Sequence, residues 1–160
     1  MEKRKKRQTT YRKGVIIIRV WHYELLKYLP DAQFKGQLRE LVLIMRTWRD
    51  TGKTNHLLIN KVMEYPKNDL VRYFMEYEIE YHKRYGEWLI KYAGEFVRFN
   101  DDGKNNGIFE DWHNKEYLRV CMANLYEKHI FGIGKSRITD EEWAKLCEGY
   151  KSITGEDYQI

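Results

Sequence analysis

The spacing of apolar residues along the chain is mostly that of α-helices. Between Asp31 and about Asp50, apolar side chains recur at intervals of three and four, as on one face of a helix. The residues of this stripe are Phe34, Leu38, Leu41, Met45 and Trp48. Pro30 breaks the chain before the segment, with Asp31 as the predicted N-cap, and Thr51-Gly52 ends it. The pattern predicts a long helix with one buried face.

Similar spacing and capping signals predict further helices downstream. Their approximate ranges are 56–64, 69–84, part of 87–99, 114–130 and 139–151. The segment Val15 to Trp21 is β-branched and apolar, which favours a short strand or an extended segment. The predicted fold class is therefore mainly α, a compact single-domain helical bundle with a short extended N-terminal segment.

Positive charge is concentrated at the front of the chain. The net charge is +5, of which residues 1–14 contribute +6, so the remainder carries −1. We interpret residues 1–14 as a flexible basic arm and residues 15–160 as a single helical domain. A polybasic arm can bind nucleic acid phosphates, but it can equally be a solvated extension with no role.

The composition of the chain limits the cellular compartments and the classes of protein to which it could belong. No apolar stretch is long enough to span a membrane. The two cysteines, Cys121 and Cys147, form no CxxC pair, which favours a reducing cytoplasm over a disulfide framework. We expect no partner in a membrane.

Common catalytic motifs are weak or absent. The GIGK stretch at 132–135 lacks the flanking pattern of a phosphate-binding loop. Glu78 and His82 are four residues apart on a predicted helix, but such a pair more often forms an ion pair than a metal site. We expect no metal site and no cofactor.

Arg39 and Glu40 stand side by side where the long helix becomes almost purely apolar. Glu40 is not on a purely polar face, and Gly36, one turn earlier, leaves space beside it. Two interpretations follow: a functional carboxylate facing a groove, or a glutamate paired with Arg39 or Lys35.

The run RVWHYELLKYLP, followed by a helix containing GQLREL, resembles pyrimidine-dimer DNA glycosylases with AP lyase activity. These are enzymes of the phage endonuclease V type and their bacterial relatives. The later segments TNHLLINKVMEYP, KRYG and YLRVCMANLYEKHI occur in the same order. The resemblance covers about residues 18–130, and its N-terminal block is the most specific part. It implies a helical bundle of the endonuclease V type.

The resemblance also implies a chemistry and a set of site residues. A base is flipped out of damaged double-stranded DNA, and a free α-amine at the start of the chain forms a Schiff base with the sugar. The resemblance implies that Glu40 and Arg19 are catalytic, with Glu40 as the carboxylate and Arg19 as the match to the basic residue near the start of the family. It also implies that Arg39, Lys128 and His22, the last of these from the start motif of the bacterial relatives, contact DNA. We expect a monomer in a bacterial or viral-host cytoplasm.

Two departures affect this assignment. The family begins about where Ile18 or Arg19 stands, so the preceding residues place the expected amine in a peptide bond. A second arginine of the phage enzyme is Asn124 here. The start could lie later, the arm could be removed by proteolysis, or Lys13 could supply a replacement amine.

The remaining possibility is that the chain lacks the lyase chemistry. It would then be a non-catalytic nucleic-acid-binding module on the same fold, with the basic arm as an electrostatic tether. A helical nuclease or accessory protein whose site is not visible in sequence is a third alternative.

Overall fold

The computed structural model describes residues 19–100 and 107–160, and all regular secondary structure in these two ranges is helical. We name the six α-helices in chain order. They are α1 (Asp31–Thr51), α2 (Leu57–Met63), α3 (Lys67–Tyr85), α4 (Ile90–Phe99), α5 (Lys115–Phe131) and α6 (Asp140–Thr154). Two 3-10 helices, Tyr23–Tyr28 and Gly134–Ser136, complete the set. The predicted mainly-α fold class is confirmed.

The predicted helix ends agree with the observed ones to within about three residues. At the front of α1, Pro30 is the N-cap residue and Asp31 is already helical, so the prediction of Asp31 as the cap was wrong by one position. The predicted capping box of Thr139 and Glu142 is present at the start of α6. Caps depend on which backbone groups remain unpaired, and spacing alone fixes them to about one residue.

The N-terminal predictions fall largely outside the described residues. The arm 1–14, with Lys13, and positions 15–18 of the predicted strand or extended segment lie there. Residues 19–22 form neither helix nor strand and lead into the 3-10 helix Tyr23–Tyr28, which the apolar spacing did not indicate.

One apolar core joins the described helices. It includes Phe34, Leu41 and Met45 from the predicted stripe of α1, together with Phe74 of α3 and Leu125 of α5, each almost completely buried. The same stripe leaves Leu38 and Trp48 only partly buried at the edge of the core. None of the described helices has both the length and the apolar character needed to cross a membrane.

Candidate functional site: a cationic pocket around Glu40

Gln37 attaches the segment before the first 3-10 helix to α1. Its buried amide accepts a hydrogen bond from the Trp21 backbone N–H at 2.8 Å and donates one to the Arg19 carbonyl at 2.7 Å. The Tyr73 hydroxyl of α3 reaches the same place, donating to the Trp21 carbonyl at 2.6 Å and lying 3.0 Å from Gln37 Oε1. These bonds satisfy buried polar groups and fix the backbone of residues 19–21 beside α1.

Glu40 lies one turn after Gln37 and faces the same segment. Its Oε2 accepts a hydrogen bond from the Arg19 backbone N–H at 2.9 Å and a longer one from Gln37 Nε2 at 3.3 Å. Burial raises the pKa of this carboxyl from 4.5 to about 8. The Arg19 hydrogen bond and the positive charges of Arg19, Arg39 and Lys128 oppose that rise without cancelling it. At neutral pH, burial therefore favours the protonated form of Glu40.

Four cationic side chains surround this carboxyl. Arg19, Arg39, Lys128 and Lys135 line a pocket of about 240 Å³ together with Glu40. No described side chain forms an ion pair with Glu40. Cations that are not neutralised by carboxylates are available to bind phosphate oxygens.

Two of these cations are partly removed from water. Burial, followed by the charge of Arg19, lowers the pKa of Lys128. The guanidinium of Arg19 lies 5.4 Å from the centre of the Trp21 ring, and its buried Nε has no hydrogen-bond partner. An unpartnered buried donor on a charged group favours an acceptor from a ligand, and the pocket opens beside it.

A second pocket adjoins the first at the end of α5. It has a volume of about 380 Å³ and shares Arg19, Lys128 and Ser136 with the Glu40 pocket. Asn124, which replaces an arginine of the resembling family, lines this second pocket. Four of the predicted site residues, Glu40, Arg19, Arg39 and Lys128, are therefore brought together by the fold.

His22 is placed differently from the other predicted site residues. It is 3% exposed and does not line either pocket. Its Nδ1 accepts from the Glu24 backbone N–H at 3.2 Å, so Nε2 carries the hydrogen and donates to the His113 carbonyl at 3.0 Å. Burial lowers its pKa to about 4, which keeps the ring neutral. This environment favours a positioning role over direct contact with DNA.

Sequence reasoning missed Gln37, Tyr73 and His113. Gln37 occurs within the apolar stripe of α1, four residues before Leu41, and a polar residue in a buried stripe is a signal that could have been used. His113 accepts from the Tyr23 backbone N–H at 3.2 Å and is buried against His22, with ring centres 5.1 Å apart. Nothing in the sequence around His113 indicates that contact.

The other candidate chemistries gain no geometric support. Glu78 accepts from the Leu89 backbone N–H at 3.0 Å, while His82 stacks on Trp88 with ring centres 3.9 Å apart. Within ranges 19–100 and 107–160, no cluster of three or more His, Cys, Asp or Glu could hold a metal ion. Burial raises the pKa of the Cys121 thiol to about 11, which makes it a poor nucleophile.

The fold and the pocket together define an all-helical protein with a cationic pocket around a buried, protonated carboxyl group. A family model described as pyrimidine dimer DNA glycosylase matches residues 18–88. The match confirms the family resemblance over that segment, which is just under half of the chain and includes Arg19, His22, Arg39 and Glu40. Comparisons with curated proteins and with solved structures give no match.

Proposed function

We propose that the chain is a DNA repair glycosylase with AP lyase activity that acts on pyrimidine dimers or a related base lesion in double-stranded DNA. The observation that carries the proposal is the 2.9 Å contact between the Arg19 backbone nitrogen and the Glu40 carboxyl inside the cationic pocket. The family match supports the same class of activity.

The contact matters because the Arg19 nitrogen lies at the position in the chain where the resemblance places the reactive amine. The resemblance places the reactive α-amine at about residue 18 or 19. A backbone nitrogen of this chain already lies beside Glu40 at that point. As a peptide nitrogen it is not nucleophilic, but as the first amine of a shortened chain it would have an ordinary pKa near 8. A useful fraction would then be unprotonated at neutral pH.

The chemistry follows from an amine and a protonated acid at one place. The amine nitrogen bonds to the sugar C1′ as the bond from C1′ to the base breaks, and the leaving base takes the bonding electron pair and a proton. Glu40, a carboxyl group whose pKa is raised by burial in the full chain, can supply that proton. The amine then loses a proton, and its lone pair forms the C=N bond as the C1′–O4′ bond breaks. O4′ takes the electron pair and a proton, which opens the sugar ring and gives the Schiff base.

Strand cleavage uses the same carboxyl in its ionised form. Having given up its proton, Glu40 can accept one from C2′, after which the 3′-phosphate leaves by elimination. A pKa of about 8 suits both donation of a proton to the base and acceptance of a proton from C2′, because the acid and the carboxylate are both accessible near neutral pH.

The cations and His22 have separate roles in the proposal. Arg39 and Lys128 hold phosphates that flank the flipped nucleotide, while Arg19 binds near the reacting sugar. His22 positions the segment that carries Arg19, since its ring is bonded to backbone groups of residues 24 and 113.

The test is borohydride trapping on a duplex with an abasic site, using two forms of the protein. One is the full chain, and the other begins at Arg19 after release from a cleavable fusion partner. We expect the Arg19 form to give a covalent protein–DNA product, and mass spectrometry to locate the link at its α-amine. Equal trapping by both forms would assign the chemistry to an internal amine, with Lys13 the first to examine.

Trapping by neither form, with DNA still bound, would contradict the proposal. It would favour the non-catalytic nucleic-acid-binding module. A shortened chain in which Lys35, also on α1 but outside the pocket, is changed to Ala serves as the matched control for variants of pocket residues.

A further inference from the structure

The loop that follows α5 presents two apolar side chains to solvent. Phe131 is 79% exposed and Ile133 is 86% exposed. Both line the second pocket, which shares Arg19 and Lys128 with the Glu40 pocket. A single exposed apolar residue is ordinary, but a pair at the rim of a pocket lined by two cations and one carboxylate, Glu127, favours a partner that is both anionic and apolar.

Several contacts fix this loop relative to α1. Gln33 of α1 donates from Nε2 to the Ser136 carbonyl at 2.9 Å. The His129 ring is bonded to the Ile138 carbonyl at 2.9 Å, which closes the loop on its far side. At Gly132 a Cβ would lie 2.1 Å from the Lys128 carbonyl oxygen, so only glycine allows this close approach. These contacts fix the loop that carries Phe131 and Ile133 relative to α1, the helix that carries Glu40.

We propose that Phe131 and Ile133 form an apolar wedge that enters the base stack of duplex DNA next to the nucleotide taken into the Glu40 pocket. Duplex DNA combines an anionic backbone with an apolar stack, which matches cations beside an exposed aromatic and an exposed aliphatic side chain. Side chains of this kind unstack base steps in other DNA-binding proteins, and an aromatic ring can replace a lost stacking partner. The inference rests on the proposed function for the identity of the flipped nucleotide.

A second exposed apolar surface can be compared with the pair Phe131 and Ile133. Trp88, Ile90 and Val97 line a groove beside α4. Its charged lining residues are one cation, Arg98, and one carboxylate, Glu78, so it lacks the positive rim that a phosphate backbone requires. Ile90 is 79% exposed, much like the wedge residues, and belongs to neither cationic pocket.

The test measures unstacking directly with the full chain. The probe is a duplex that carries a tetrahydrofuran abasic analogue with 2-aminopurine in the opposite strand, so that loss of stacking raises the fluorescence. We expect the parent protein to raise it on binding. The double variant Phe131→Ser/Ile133→Ser should lose most of the rise and bind this duplex about tenfold more weakly. Ile90→Ser should behave like the parent.

Two further measurements separate folding and chemistry from the wedge. The melting temperature of the double variant should match that of the parent, because both side chains are exposed. Trapping on a single-stranded abasic oligonucleotide, which has no duplex stack to open, should fall less for the double variant than trapping on the abasic duplex, both in the Arg19-initiated form.

The outcomes distinguish this inference from the proposed function. A parent protein that binds without a rise in fluorescence, or a double variant as effective as the parent, would overturn the wedge. A rise that depends on Phe131 and Ile133, without trapping by any form of the chain, would support the wedge and refute the glycosylase and lyase chemistry.

Discussion

Glu40 of α1 and Glu95 of α4, two carboxylates that both contact α1, have opposite environments. Glu95 of α4 accepts hydrogen bonds from the Arg46 guanidinium of α1 at 2.7 and 3.0 Å, and these lower its pKa. Among the described residues, Glu40 accepts only from a backbone N–H and an amide, and burial raises its pKa to about 8. Both carboxylates have arginines nearby, yet within the described ranges Glu95 forms ion pairs with two of them, Arg46 and Arg49, and Glu40 with none.

This difference separates a contact that joins helices from a site able to do chemistry. At Glu95 the carboxylate neutralises Arg46, so neither group is left to act on a ligand. In the Glu40 pocket, the acid stays protonated and the cations remain available for phosphates. A buried titratable group with a strongly shifted pKa in a cleft is typical of functional sites.

The largest expected effect is on catalysis. Glu40→Gln in the Arg19-initiated form should lower the rate of strand cleavage by about 10²- to 10⁴-fold, because the amide cannot exchange a proton with the base or with C2′. Binding to an abasic-analogue duplex should stay within a few-fold of the parent. Glu95→Gln is the matched control and should cleave at the parent rate. A fully active Glu40→Gln protein would mean that the site has been misassigned.

The next effect is on DNA affinity. Arg39→Ala should weaken binding to any duplex by about tenfold and reduce the slope of log affinity against log salt concentration by about one, as expected for one lost phosphate contact. Arg49→Ala is the control, because Arg49 pairs with Asp50 and lies outside the pocket. Fluorescence anisotropy over a salt series measures both slopes. Identical slopes for the two variants would contradict the phosphate role of Arg39.

The same two carboxylates should affect stability with opposite signs. The pKa of Glu40 is higher in the folded chain than its ordinary value of 4.5, so the folded state binds more protons between about pH 4.5 and 8. The contribution of Glu40 to the stability of the folded state is fully present below pH 4.5 and is lost as the pH rises through 8. Glu40→Gln should remove this loss and be more stable than the parent at pH 8 by roughly 2–4 kcal/mol.

Glu95 provides the opposite case. Its pKa is lowered by the Arg46 hydrogen bonds, so its contribution is present above the ordinary glutamate range and is lost on acidification through the folded pKa. Glu95→Gln should therefore be less stable than the parent at neutral pH, and the difference should shrink in acid. Urea unfolding from pH 3 to 8.5 compares both variants. If both substitutions lowered the free energy of unfolding at neutral pH, the result would show that Glu40 is ionised in the folded protein.

The helices could be predicted from sequence because they depend on local information, since apolar spacing fixes the buried face of a helix. The helical repeat showed that Glu40 is not on a purely polar face, but its proposed catalytic role came from the resemblance to a known family. The residues that line the pocket beside Glu40 could not be predicted from the spacing of apolar residues. Arg19 and Lys128 are more than one hundred residues apart in the chain, and only the resemblance to a known family connected them.

His22 and Gln37 show what local sequence cannot supply. A histidine in the start motif was assigned to DNA contact, but its ring bonds to the backbone of residue 113, 91 positions away. Gln37 was not singled out at all, although four backbone and side-chain groups converge on its amide. Such buried polar contacts depend on tertiary packing, which the pattern of one helix does not encode.

The smallest predicted effect tests how the pocket is held. Tyr73→Phe removes the hydroxyl that bonds to Trp21 and Gln37, and Tyr77→Phe removes a hydroxyl of the same helix that donates to the Phe34 carbonyl at 2.7 Å. Both hydroxyls are buried, so each change should lower the free energy of unfolding by about 1–2 kcal/mol. Only Tyr73→Phe should also slow trapping, by about threefold to tenfold, because it loosens the segment that places Arg19 beside Glu40. Equal trapping rates for the two variants would show that the contact between Arg19 and Glu40 is held without Tyr73.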